Sequence, residues 1–410
     1  MRQPTLHVGV ALALGAAVAF GRAPHGLKAQ SARPARQIEI AAGSVARRGT
    51  IVSFPLEGVR DGAVYTLRDP SGRSAPLQID AAGTAWSIVP ELSAGESRLF
   101  QIVETPHDPE GMTADRQDHN VGFSAGGRPV LDYVGGAGRL PAGDIKPIFQ
   151  RGGYLHPVRT PSGRIVTGDY PADHRHHHGI WFAWTKTAFQ GREPDFWNMG
   201  DGKGRVEAAS LDRVWSGRVH AGLRAQHQYI DLTSGAPIVV LRERWDTRVF
   251  AGGGGSRPYH VFDVEVLQTN VSASPLALPE YHYGGIGVRG AAEFVPLDNA
   301  SFLTSEGKDR KTGDATASRW AYIAGEVNGA RAGIAILGHP ANFRAPQPMR
   351  IHPTDPYLCY APSRQGAWEI APAATHVARY RFVAFDGAIE PAELDRLWRD
   401  YAEPPVVTVR

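Results

Sequence analysis

Apolar and polar residues alternate along much of this chain. The clearest stretch is Tyr259-His-Val-Phe-Asp-Val-Glu-Val266. Phe262, Val264 and Val266 fall on one face, and Asp263 and Glu265 on the other, as in a half-buried strand. Val377-Ala-Arg-Tyr-Arg-Phe-Val-Ala-Phe385 repeats the pattern, and Ala332-Gly-Ile-Ala-Ile-Leu337 is a short apolar strand. Nearer the start, Ile38, Ile40, Gly49–Phe54, Tyr65–Arg68, Pro76–Ile79, Trp86–Val89 and Ser97–Val103 are separated by turn signals such as Asp69-Pro-Ser-Gly72. This spacing predicts a small antiparallel β module over residues 37–105. A polar linker is expected over 106–120 and a main β domain over 121–410. One helix is expected, at Pro391–Tyr401, where Leu394, Leu397, Trp398 and Tyr401 recur three or four apart.

Composition supports the same class. The chain of 410 residues holds 47 Gly and 31 Pro. That load suits a turn-rich, all-β fold and not a helical bundle. The expectation is a large antiparallel β-sandwich with a small N-terminal β module and a C-terminal helix. The lone Cys359 excludes an internal disulfide framework and any CxxC site.

Charge changes the picture once the N-terminus is read. Arg2, then an apolar run from Val8 to Phe20, then Ala29, has the layout of a secretory signal over residues 1–29. The run is shorter than the roughly 20 residues a membrane span needs. A polar leader, 30–36, follows. Arg2, Arg22 and Lys28 lie in the signal and no acid does, so the remainder carries 41 basic and 41 acidic side chains. The basic excess vanishes, and with it the case for a nucleic-acid partner. The expected location is periplasmic or secreted, with no membrane insertion after cleavage.

The densest chemistry is Asp173-His-Arg-His-His-His-Gly179, leading into Ile180-Trp-Phe-Ala-Trp184. On an extended chain His174, His176 and His178 share a face, with His177 opposite. Imidazoles so placed can bind a divalent metal (Zn, Cu, Mn or Ca) or act as general acids and bases near neutral pH. A second group is Glu280 and His282, which share a face if Pro279–Tyr283 is a strand. The literal GxGxxG of Gly285–Gly290 lacks the preceding strand and following helix of a dinucleotide site. Asp195, Trp197 and Asn198 offer an acid, an aromatic face and an amide, the groups a sugar site uses. His339, Asn342 and Arg344 follow the apolar strand ending at Leu337. His156 and Arg159 also sit at a strand end. Asp169, Asp173, Asp195 and Glu280 are the carboxyl candidates for glycosidic cleavage. No G-x-S-x-G, H-E-x-x-H or P-loop motif occurs.

The segments Leu155-His-Pro, Thr160-Pro-Ser-Gly, Asp169-Tyr-Pro-Ala-Asp-His174, His176-His177, Gly179-Ile-Trp-Phe, Asp195-Phe-Trp-Asn198, Tyr283–Arg289, Trp320 and His339–Arg344 together resemble a bacterial family of unknown function labelled "PmoA", after a methane-oxygenase subunit. The chain departs from that pattern at Arg175 and His178. The resemblance implies a secreted fold similar to the galactose-mutarotase supersandwich, found beside carbohydrate degradation. It adds Tyr283 and Arg289 to the substrate-binding candidates. The expected function is a secreted carbohydrate-active enzyme that cleaves a glycosidic bond by hydrolysis or elimination. His174, His176, His177, Glu280 and His282 would be the catalytic groups and a carbohydrate the partner. The alternative is a non-catalytic metal- or glycan-binding protein.

Overall fold

The alternation around Val264 belongs to a longer strand, His260–Asn270. Phe262, Val264 and Val266 enter the main core. On the opposite face, Asp263 and Glu265 accept from Arg381 and Arg379 of the adjoining strand Thr375–Asp386, at 2.7 and 2.5 Å. The period-two pattern thus sorts each side chain by face. The computed structural model describes residues 36–60, 63–106, 111–138, 140–252 and 258–410. The expected signal and nearly all of the leader lie outside the described residues.

Two eight-stranded sheets form the sandwich. The first runs in the order Gly204–Trp215, His220–Asp231, Ile238–Phe250, His260–Asn270, Thr375–Asp386, Ala330–Gly338, Trp320–Val327, Ser301–Thr304. The second carries the site. Its order is Met349–Ile351, Tyr357–Tyr360, Gly285–Arg289, Ile180–Ala183, Tyr154–Val158, Arg128–Val134, Asn120–Ala125, Met112–Gln117. All their named pairings are antiparallel. Their facing side chains make one large core. Met112–Gln117 is therefore an edge strand of the site sheet, not part of a linker. The polar stretch misled because an edge strand tolerates charge on its exposed side.

A seven-stranded sheet gathers Gln37–Ala41, Arg47–Pro55, Val64–Arg68, Ser74–Ile79, Thr84–Leu92 and Ser97–Thr105, and adds Val406–Val409 from the far end of the chain. Ile38 lies opposite Val409 and Ile40 opposite Val407. This sheet has its own core. It is not an independent unit, because Arg36–Arg410 is a single compact body. The helix, Pro391–Ala402, buries Leu394 and Leu397 against the outer face of the first eight-stranded sheet. Ile51, Trp86 and Ile88 of the seven-stranded sheet join that contact. Among the described residues no helix is long and apolar enough to cross a membrane.

Candidate functional site

The strand Ile180–Ala183 is buried at every position, so cover lies on both faces. Trp181 stands opposite Gly287, and Gly287 opposite Cys359. A Cβ on Gly287 would lie 3.0 Å from the Trp181 ring and 3.1 Å from the Trp197 ring. Glycine there makes room for the two indoles. Gly285 has φ +131°, and a Cβ there would come 2.3 Å from the Tyr360 carbonyl oxygen. Two glycines of the literal GxGxxG are thus accounted for by close packing within a sheet.

The His segment reaches this sheet through turns rather than as a strand. The His174 amide donates to the Pro171 carbonyl at 3.1 Å and the His177 amide to that of His174 at 2.8 Å. The odd–even rule fails in such turns, and the expected face of His174, His176 and His178 does not form. His174 instead stacks on His177, with centroids 4.7 Å apart and planes 14° from parallel. His177 rests on Trp181 at 4.9 Å and Tyr357 at 4.8 Å. His176 meets His177 edge-on at 4.7 Å. His178 turns away from all three. Its Nδ1 is 2.7 Å from Asp169 Oδ1, and its ring lies between Tyr154 and Tyr170. It is therefore removed from the expected metal set.

A recess of about 130 Å³ opens over this stack, lined by His174, His176, His177, Trp197, Asn198, His282, Tyr283, Arg350, His352 and Tyr357. Asn198 Nδ2 donates to the Tyr283 hydroxyl at 3.0 Å and to Asp195 Oδ2 at 2.7 Å. Asp195 Oδ1 accepts the amides of Trp197 and Asn198, both at 2.9 Å. Asp195 shapes the loop and leaves the wall to its neighbours. Arg289 is buried beneath the recess and donates to both oxygens of Asp173, at 3.1 and 3.2 Å. Both residues brace the His loop from behind.

Other candidates lie elsewhere. Glu280 is exposed, lies between the strands Leu276–Leu278 and Gly285–Arg289, and does not line the recess. The expected Glu280–His282 face is absent because the strand begins only at Gly285. His282 reaches the recess through a bend. His156 contacts the Thr167 hydroxyl at 3.0 Å, and Arg159 pairs with Asp132 at 3.4 Å. His339 and Asn342 line a separate recess of about 180 Å³ beside Trp398. Arg344 caps the carbonyls of Pro362 and Gly366, at 2.9 and 2.6 Å. None of these five lines the His-rich recess.

Four groups escaped the sequence reading: Arg350, His352, Asp355 and Tyr357. They arrive because Tyr357–Tyr360 pairs with both Gly285–Arg289 and Met349–Ile351. The signal was His352-Pro-Thr-Asp355, an imidazole and a carboxylate three residues apart in a Pro-rich turn. His174, His352 and Asp355 each bring a ligand atom within 4.8 Å of the others, a geometry able to hold a metal ion.

Burial pushes His176 down to about 4, helped by His174 and His178. Burial also holds His177 well below the usual imidazole range, with His176 and His174 adding repulsion. Burial would raise Asp173, but Arg289 and His174 outweigh it and hold it down at about 2. Burial raises Tyr283 to about 12. The wall thus offers uncharged imidazoles at His176 and His177 and an uncharged phenol at Tyr283 beside the Arg350 guanidinium.

A family described as "Family of unknown function (DUF6807)" matches residues 120–399. The chain belongs to it. Every residue lining the recess lies inside the DUF6807 match. No curated protein matches the chain. Among solved structures, it is similar to an α-mannosidase from Enterococcus faecalis V583, at 8% identity and TM-score 0.40, over 92% of this chain and 46% of that one. A protein in the glycosyl hydrolase family 38 from Enterococcus faecalis gives 8% identity and TM-score 0.41, over 92% and 47%. The DUF6807 chain spans just under half the length of each.

Proposed function

We propose that this protein is a carbohydrate-active enzyme acting outside the cytoplasm, and that its His-rich recess cleaves a glycosidic bond by elimination. The observation that carries the reading is the composition of the wall. It holds five imidazoles, two phenols, an indole, an amide and a guanidinium, while the nearby carboxylate of Asp355 is packed against His174 and His352. A glycosidase of the usual kind needs two carboxyl groups flanking the bond. Here Asp173 is held by Arg289, and Asp195 is committed to the Thr185 hydroxyl, Asn198 and two amides. Burial keeps the His176 imidazole uncharged at neutral pH, so it stands ready to accept a proton as a base.

In this reading the half-buried Tyr283 ring, packed on the buried Trp197, covers the apolar face of a sugar ring, and Asn198 takes its hydroxyls. Arg350 receives a carbonyl or carboxylate beside the carbon that loses its proton. An imidazole takes that proton, and the C–H electron pair becomes a C=C bond. The glycosidic C–O bond breaks, and its oxygen leaves with a proton from a second donor. The substrate is thus a glycoside bearing a carbonyl or carboxylate next to the abstracted hydrogen.

The test is a panel of oligosaccharides with and without uronic-acid or keto-sugar units. Expected is an unsaturated product, detected by ultraviolet absorbance and mass spectrometry, and its loss in His176→Ala. Products that have gained water would replace elimination with hydrolysis. Glycan binding without turnover would replace the enzyme with a binding protein.

A further inference from the structure

We infer that the recess holds one divalent transition-metal ion on His174, His352 and Asp355. This goes beyond the glycan reading and stands whether or not the ligand is a sugar. The two loops that carry these residues lie far apart in sequence and meet only through sheet pairing. Asp355 Oδ2 lies 3.2 Å from Nδ1 of His174 and 3.2 Å from Nδ1 of His352. Ligands bound to zinc at about 2.0–2.1 Å with tetrahedral angles stand about 3.3–3.4 Å from one another. Two edges of the required polyhedron are therefore already set.

The contact is not explained by hydrogen bonding. Asp173 Oδ2 also stands 3.2 Å from His174 Nδ1, yet neither His174 Nδ1 nor Asp355 Oδ2, both buried atoms, has an aligned hydrogen-bond partner. Burying two such atoms unsatisfied is costly. A cation between them removes the cost at both. Two imidazoles and one carboxylate are a recurrent ligand set that leaves positions open for substrate or water.

Two neighbours tune the affinity. Arg289 lies 3.9 Å from Asp355 Oδ2 and takes part of its charge. The Asp355 amide donates to His352 Nδ1 at 3.0 Å. An ion bound at that nitrogen displaces the amide, so the turn 352–355 shifts on binding. Both effects weaken the site relative to a closed structural zinc.

The experiment uses the full chain, stripped with a chelator and dialysed. Zn(II) and Mn(II) are titrated by calorimetry, and retained metal is counted by mass spectrometry. Expected is one ion per chain for at least one of the two. Affinity should fall at least tenfold in His352→Ala and in Asp355→Asn and persist in His178→Gln, whose ring faces elsewhere. Circular dichroism checks that each variant is folded. Should His352→Ala unfold, Asp355→Asn carries the test, since it keeps shape and removes charge. Absence of stoichiometric binding, or equal binding by wild type and Asp355→Asn, overturns the proposal. Stoichiometric zinc with no glycan bound or turned over leaves this site standing and removes the glycan reading. Turnover that persists after chelation, with no ion retained, does the reverse.

Discussion

Nδ1 of His227 lies 2.7 Å from Oε1 of Glu243, and neither side chain reaches solvent. The pair sits on neighbouring strands of the first eight-stranded sheet, directly opposite in register. The other imidazole nitrogen is 2.9 Å from the Tyr133 hydroxyl. Glu243 Oε2 accepts from Tyr229 at 2.9 Å and from Gln268 at 2.6 Å, and Gln268 in turn accepts the Trp184 indole N–H at 2.7 Å. A polar chain therefore crosses the core from one sheet toward the strand end that carries the site.

Breaking this chain should be costly. Glu243→Ala strands His227, Tyr229 and Gln268 together, and removing one member of a buried pair costs about 3–5 kcal/mol. Glu243→Gln keeps the shape and one acceptor and should cost less. Urea unfolding followed by circular dichroism gives the order, and equal midpoints for wild type and Glu243→Ala would refute it.

His178 should matter for folding and not for the recess. Its imidazole is fully buried and held by Asp169. His178→Gln should cost about 1–3 kcal/mol, the usual loss for a buried hydrogen-bonded group. A thermal melt paired with a metal titration separates the two roles, and a lost titration in a fully stable variant would contradict the assignment.

Stability should fall as the solution is acidified from about pH 6.5 toward 4. Burial pushes His220 down to about 3 and His376 to about 4. The unfolded chain, with imidazoles near their ordinary value of about 6.5, then binds more protons than the folded one within this window. Each group removes up to about 1.4 kcal/mol per pH unit across it. Urea midpoints at pH 7, 6 and 5 should decline, and His376→Leu should flatten the decline. A pH-independent midpoint would count against both assignments.

Gly287→Val should close the recess from below. The added side chain enters the space of Trp181 and Trp197, whose rings support His177 and the wall. Metal affinity should drop at least tenfold while far-ultraviolet circular dichroism stays close to wild type. Unchanged affinity would mean that the indoles do not position the His loop.

Much of the architecture could be read locally. Residues 262–266 declare their faces by alternation, and Leu394 and Leu397 declare the helix. The C-terminal strand Val406–Val409 went unread in the sequence, and its partner 371 positions away from Val409, Ile38, is invisible to any local pattern. The site divides the same way. A histidine run announced chemistry, but its face assignment assumed an extended chain, and two backbone hydrogen bonds fold it into turns. Arg350, His352 and Asp355 join it only because a third strand pairs beyond Gly285–Arg289. Such partners are set by topology, not by periodicity.

The pairing of Gln37–Ala41 with Val406–Val409 has a consequence for biosynthesis. A ribosome delivers Ile38 long before Val409, so one flank of the seven-stranded sheet waits, open, while the strands of both eight-stranded sheets are made. Its exposed edge is then a template for the wrong partner throughout translation. Closure of that sheet therefore follows synthesis of both eight-stranded sheets, and a protein shortened before Val406 would carry the open edge permanently.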